Sequence, residues 1–208
     1  MATIHVLDET TINKIAAGEV VERPASVIKE LIENSIDASA NNIEVEIGDG
    51  GVAYMRITDN GIGMTEEDAR LAILRHATSK IQHVEDLFDI ASLGFRGEAL
   101  ASIASVSHFS LTTRKADSDL GTRITVDGGT FTDCIPYGAA PGTTIEIRDL
   151  FYNTPARRKF LKTERTESSK IQDIVGKLAL SNPHISFKLI IDDRVAIITP
   201  GNGNIGDT

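Results

Sequence analysis

Cysteine is nearly absent. Cys134 stands alone among 208 residues, so no disulfide can close within the chain, and a reducing, cytoplasmic compartment fits. Long apolar runs are missing too. Nothing reaches the length needed to span a bilayer, and Met1 to Val6 lack the basic flank and apolar core of a secretory signal, so no membrane partner is expected. Positive charge is in deficit: 21 Lys and Arg against 30 Asp and Glu leave a formal net charge of −9. That speaks against a chain-wide electrostatic grip on DNA and leaves room only for a local basic patch. The five histidines are scattered, none at metal-ligand spacing beside a cysteine or carboxylate, so no structural zinc site is expected. No Walker A sequence occurs, which excludes a P-loop NTPase. A literal G-x-G-x-x-G falls at Gly201, Gly203 and Gly206, but a dinucleotide site needs a helix there and only two residues follow. Residues 201–208 read instead as the flexible start of a linker.

What is present is ordinary for a folded protein: 41% hydrophobic and 25% charged, in a chain large for one domain and small for two. The stretch that organises it runs from Glu30 to Ala38. At helical spacing Val27, Ile28, Leu31, Ile32 and Ile36 share one broad apolar arc, while Glu30, Asn34 and Asp37 line a narrow stripe facing the other way. By itself such a stripe is the solvated face of an amphipathic helix. A carboxylate and an amide one turn apart could also hold a metal ion and a water, since Mg²⁺ commonly takes only one or two protein oxygens.

Around that stretch, residues 1–11 read as a short arm, and Ile12, Ile15 and Ala16 recur at helical spacing up to Gly18. Pro24 opens the central helix, expected from Ala25 to Asp37. Ile43 to Ile47 alternates as a half-buried strand, Gly48 to Gly51 turns, and Val52 to Thr58 returns antiparallel. Then comes Asp59-Asn60-Gly61-Ile62-Gly63. Asn-Gly is a strong turn signal, yet Thr65 with Asp68 marks a helix start, so the order is strand, glycine loop, helix. That helix is expected over Glu66 to His76, with Ala69, Leu71, Ala72, Ile73 and Leu74 partly inward. The glycine stretch has two readings. It is a plain turn, or Asp59 accepts a hydrogen bond from an exocyclic amine such as adenine's while Gly61 and Gly63 let a flat ring approach.

Thr78-Ser79-Lys80 is rich in donors, and Asp86 to Ile90 reads as a short element. Gly94 and Gly97 precede a helix, which makes either a flexible interhelical loop or an anion site to which Arg96 adds charge. A β-rich half follows, with strands expected at Phe109–Thr113, Thr122–Asp127, Thr130–Ile135 and Thr143–Arg148. The loop Asp149 to Pro155 leads into Ala156–Phe160, a long helix covers Thr166 to Leu180, and strands at Ile185–Ile191 and Arg194–Thr199 close the chain. Arg157, Arg158, Lys159, Lys162 and Arg165 form a local basic run, readable as a solvated helix face or as a weak, non-specific DNA contact.

Four of these stretches together resemble the nucleotide-site motifs of the GHKL (Bergerat-fold) ATPases. They are Glu30…Asn34…Asp37-Ala38, Asp59-Asn60-Gly61-Ile62-Gly63, Gly94-Phe95-Arg96-Gly97-Glu98-Ala99-Leu100 and Gly142-Thr143-Thr144. The likeness to the MutL mismatch repair proteins within that superfamily is much closer than to the rest. Ile15 to Ser26, Arg75-His76-Ala77-Thr78-Ser79-Lys80 and Asp149 to Phe160 are similar to that family almost word for word. The resemblance covers nearly the whole chain.

The resemblance implies an α/β fold, a two-layer α+β sandwich with helices on one face of a mixed, mostly antiparallel sheet. It implies an arm and dimer-contact segment over residues 1–22, an ATPase domain over 23–200, and a linker from 201. ATP/ADP and Mg²⁺ are the implied cofactors. Glu30 is then the general base, Asn34 the ligand that couples Mg²⁺ to the phosphates, and Asp59 the acceptor for the adenine amine. Gly63 gives room beside it, Gly61 belongs to the same motif, and Thr144 (or Thr143) supports Asp59. Asp37 and Ala38 border the pocket, and Leu93, Gly94, Phe95, Arg96, Gly97, Glu98, Ala99 and Leu100 form the lid. Thr78, Ser79 and Lys80 lie near the same pocket. Family members continue into a transducer domain that supplies a lysine and then to a distant dimerisation domain, so this chain is expected to be a fragment with slow turnover. Two functions follow. One is an Mg²⁺-dependent ATPase that resets a dimer clamp, working in the bacterial cytosol and nucleoid with a mismatch-recognition protein, a nuclease and a helicase. The alternative is a nucleotide-binding switch that recruits partners, with hydrolysis incidental.

Overall fold

A computed structural model describes residues 21–75, 77 and 97–208. The arm and apolar segment expected over residues 1–20, and the short element Asp86 to Ile90, lie outside the described residues.

Helix α1 (Pro24–Asp37) starts where proline suits a first turn, after Arg23 in an extended conformation. It ends in a Schellman motif built on serine rather than glycine. Ser39 takes φ +60 and the Ala40 N–H reaches back to the Ser35 carbonyl at 3.1 Å. Val27, Ile28, Leu31 and Ile32 are buried, as the apolar arc requires. Strands β1 (Asn42–Gly48) and β2 (Tyr54–Asp59) pair antiparallel with Ile43 opposite Asp59, joined through Gly50 and Gly51 at positive φ. Helix α2 (Glu66–Ala72) is capped by Thr65, whose hydroxyl accepts from the Asp68 N–H at 3.1 Å. It stops four residues short of the expected His76. Ala69 is buried and Ile73, just past the helix end, packs against the core as expected, while Leu71 and Leu74 stay exposed at 49% and 53%.

Helix α3 (Ala99–Ser105) leads into β3 (His108–Arg114), β4 (Gly121–Asp127), β5 (Thr130–Tyr137) and β6 (Gly142–Arg148). The basic run is partly helical: α4 spans Pro155–Phe160, with proline again in the first turn. Helix α5 (Glu164–Ser181) and strands β7 (Ser186–Ile191) and β8 (Arg194–Ile198) complete the order. The last residues carry a 3-10 turn, Ile205–Asp207, and the Gly203 N–H donates to the Pro183 carbonyl at 2.8 Å.

Among the described residues eight strands form one sheet in the order β5-β4-β3-β6-β2-β1-β7-β8, antiparallel except for β1 beside β7. Register decides what the sheet shows to the helices. Val45, Ile57, Ile145, Leu111 and Ile124 stand side by side across five strands and are all buried. They join α1, α3 and α5 residues such as Leu31, Ile103 and Val175 in one core. Two strand positions along, on the same face, the row reads Ile43, Asp59, Thr143, Thr113 and Thr122. The opposite face is polar, with Arg56 paired to Glu44 and Glu46, and Lys188 to Glu44. No helix among the described residues is long and apolar enough to cross a membrane. The expected two-layer arrangement of helices on one face of a mixed, mostly antiparallel sheet is what forms.

Candidate functional site

The candidate site lies at the polar end of the helix-facing side. Asp59 ends β2 against α1, and three donors hold its carboxylate. Oδ1 accepts from the Gly61 N–H at 2.9 Å and the Thr143 N–H at 3.3 Å, and Oδ2 accepts from the Ser35 hydroxyl at 2.8 Å. Burial pushes the Asp59 carboxyl above the ordinary carboxylate range, and the Gly61, Ser35 and Thr143 hydrogen bonds partly oppose that rise. A carboxylate offers about four acceptor positions, so the three donors leave room for one more.

Glycines draw the surrounding backbone together. A Cβ on Gly61 would lie 2.6 Å from the Ala38 carbonyl oxygen, and the neighbouring Ile62 N–H donates to that same oxygen at 3.0 Å. Gly63, at φ +64, comes so near β3 that a Cβ would sit 2.1 Å from the Arg114 carbonyl oxygen. Their conformational need is thus met by protein backbone: the loop docks on the last turn of α1 and on the end of β3.

Glu30, Asn34, Asp37 and Ala38 are half-buried along the edge of α1, so the stripe is not a fully solvated face. Glu30 and Asn34 stand one turn apart, about 6 Å along the axis. Of the two threonines, the structure brings Thr143 to Asp59. Thr144 points to the other face, where its hydroxyl lies 3.2 Å from that of Thr58, because adjacent strand residues alternate sides. Gly97 takes φ +60 ahead of α3, Glu98 lies 3.8 Å from Arg75, Ala99 starts the helix and Leu100 packs against the core. Thr78, Ser79, Lys80, Leu93, Gly94, Phe95 and Arg96 lie outside the described residues. Arg158 and Lys159 are exposed on α4 and Arg157 is half-buried, well separated in the fold from Asp59 by β6 and the Asp149–Thr154 turn. Among the described residues, no group of three or more His, Cys, Asp and Glu is placed to hold a metal ion by itself.

Two residues of the site escape sequence reasoning. Ser35 follows Leu31 by one turn on the buried arc, and Thr113 follows Phe109 and Leu111 at strand spacing, so each is a polar residue at an apolar position. That mismatch is the signal that could have found them.

Residues 22–130 match the family model described as histidine kinase-, DNA gyrase B- and HSP90-like ATPase. The chain is 58% identical over its full length to the DNA mismatch repair protein MutL of Thermoanaerobacter pseudethanolicus, and covers 34% of that protein. It is 55% identical to the MutL of Clostridium botulinum, of which it covers 31%. It therefore spans about a third of the length of the curated relatives it matches. Among solved structures, the Aquifex aeolicus MutL ATPase domain complexed with ADP superposes with a TM-score of 0.70 at 37% identity, covering 88% of this chain and 65% of that one. The N-terminal domain of a DNA repair protein superposes with a TM-score of 0.79 at 28% identity, over 94% of this chain and 58% of that one.

Proposed function

The chain belongs to the histidine kinase-, DNA gyrase B- and HSP90-like ATPase family, and from that we propose that it binds and hydrolyses ATP as the nucleotide-driven part of a MutL-type DNA mismatch repair protein. The observation that carries this reading is the Asp59 carboxylate, held by three donors, desolvated, and retaining acceptor capacity beside α1. Adenine presents an amine donor to such a group. Guanine presents a carbonyl oxygen at the same place, which a carboxylate repels.

Glu30 and Asn34 fit the other end of the nucleotide. Asn34 would offer Mg²⁺ a side-chain oxygen, with the Glu30 carboxylate one turn away. When bound, that ion neutralises charge on the phosphates. Asn34 would hold the ion, and Glu30 would orient the attacking water and take its proton, a role worth roughly 10²- to 10⁴-fold. Asp37 and Ala38 border the pocket, and Thr144 supports the β6 end from the opposite face. Gly97 to Leu100, with Leu93 to Arg96, close over the phosphates, and Thr78 to Lys80 contribute donors. Residues 23–200 make up the ATPase domain and 1–22 an arm for an ATP-dependent homodimer. The linker from 201 leads to a transducer domain in the parent protein, which works with a mismatch-recognition protein, a nuclease and a helicase. Arg157, Arg158 and Lys159 touch DNA weakly and without sequence preference.

The test is thermal unfolding and ATP turnover measured side by side. A nucleotide at 100 times its Kd stabilises the native state by about 2.7 kcal/mol, a visible shift in Tm. Wild type and Glu30→Ala are expected to shift with Mg²⁺-nucleotide while Asp59→Ala does not, and only wild type turns over. Equal turnover by Glu30→Ala, or an undiminished shift in Asp59→Ala, overturns the assignment.

A further inference from the structure

Thr113 is wholly buried on the helix-facing side of β3, and its hydroxyl sits where three pieces of backbone meet. A threonine hydroxyl has one hydrogen to give and two lone pairs to offer. The Met64 N–H donates to Oγ1 at 2.9 Å, and the Gly142 carbonyl lies 3.0 Å away and takes the hydrogen. The Thr143 hydroxyl, also at 3.0 Å, must then be the donor in its pair. All three capacities are used.

Each partner belongs to a segment that frames Asp59. Met64 ends the glycine loop whose Gly61 N–H holds Oδ1, and Gly142 and Thr143 begin the strand whose Thr143 N–H holds the same oxygen. Sheet register puts Thr113 opposite Thr143, and Thr143 opposite Asp59. Two glycines leave no side chain to space these segments. A Cβ on Gly142 would lie 2.1 Å from the Asp59 carbonyl oxygen, and one on Gly63 equally close to Arg114. Hydrogen bonds therefore set the separation, and one hydroxyl makes three of them.

We propose that Thr113 is a positioning residue for base recognition: without touching nucleotide, its hydroxyl cross-links the glycine loop to the start of β6 and so orients the Asp59 carboxylate that selects adenine over guanine. This rests on the nucleotide site proposed above. Removal of the hydroxyl takes from the Met64 N–H its acceptor and from the Gly142 carbonyl its side-chain donor, and the two amides on Oδ1 lose that cross-link. Glu30 and Asn34, proposed above for the phosphate end, take no part in these three bonds.

The experiment measures dissociation constants of Mg²⁺-ADP and Mg²⁺-GDP for the whole 208-residue chain, with Tm recorded for each variant. Thr113→Val keeps the shape and is expected to weaken ADP about tenfold while leaving GDP unchanged, the effect of one lost buried hydrogen bond. Thr113→Ser, which keeps the hydroxyl, restores the wild-type ADP-to-GDP ratio. A lowered Tm in Thr113→Val with the wild-type ratio retained marks a merely structural residue and overturns the proposal. Should Thr113→Val fail to fold, Thr113→Cys, a weaker donor of similar size, is read the same way, and an unchanged ratio again overturns it. Asp59→Ala separates the two levels. If it binds ADP as wild type does, the site and this proposal fall together; if it loses ADP while Thr113→Val keeps the ratio, only the role of Thr113 falls.

Discussion

Ser35 and Asp59 face each other across the boundary between helix and sheet, the hydroxyl oxygen of one 2.8 Å from Oδ2 of the other. The same hydroxyl lies 3.1 Å from the Leu31 carbonyl, one turn back in α1. It has a single hydrogen, so it serves the carboxylate or the helix, and an ionised carboxylate is the stronger acceptor. The ionisation of Asp59 and the orientation of Ser35 are thereby linked.

A pH dependence follows. Burial raises the Asp59 pKa above 3.8 in the folded chain, so ionising it costs the fold more than the unfolded chain. Its contribution to stability declines as pH rises from the unfolded value through the folded one. On the proposed assignment nucleotide binding runs the opposite way, because an adenine amine on Asp59 needs the ionised acceptor. ADP affinity is expected to weaken as pH falls through that raised value, while the protein is still folded. In Ser35→Ala, which removes a donor that lowers the pKa, the midpoint moves to higher pH. Calorimetric titration at a series of pH values reads both, and a pH-independent affinity down to the acid unfolding limit contradicts the prediction.

Gly63→Ala tests the close approach of the glycine loop to β3. The added Cβ would meet the Arg114 carbonyl at 2.1 Å in a backbone conformation, φ +64, that L residues avoid. A loss of roughly 1–3 kcal/mol is expected from this strain, read as a lower midpoint in urea. Gly203→Ala, at φ +80 but with no atom within 4 Å, is the control and should cost less.

The exposed cations of α4 provide a third test. Each phosphate contact contributes a slope of about −0.9 in log K against log salt for duplex DNA. Replacing Arg158 and Lys159 together with alanine is expected to flatten that slope by about two and to weaken binding alike for all sequences. An unchanged slope would leave α4 as a solvated helix face.

Much of the molecule is local in origin. The apolar arc of α1, the alternation of Ile43, Val45 and Ile47, the Thr65 cap and the glycine stretch after Asp59 each depend on residues within a turn or two of one another. Such patterns are set by helix and strand periodicity alone. They suffice to order the elements and to put Glu30, Asn34 and Asp37 on one edge of a helix. Only the C-terminal end of α2 departs from the pattern: the helix stops at Ala72, and of the apolar residues around that end Ile73 packs on the core while Leu71 and Leu74 stay in solvent.

Which residues meet at the site was decided by tertiary structure. Asp59 and Thr143 are 84 positions apart, and they touch only because β6 enters the sheet beside β2. The register of that pair selects Thr143 over Thr144, since a shift of one residue would turn the other side chain inward. Ser35 and Thr113 acquire meaning the same way, as polar groups at apolar positions until the sheet closes and brings each its partners. A chain can specify periodicity through neighbours, but the pairing of distant strands is fixed by the burial of one common core, and the hydrogen bonds that orient Asp59 exist only once that core has formed.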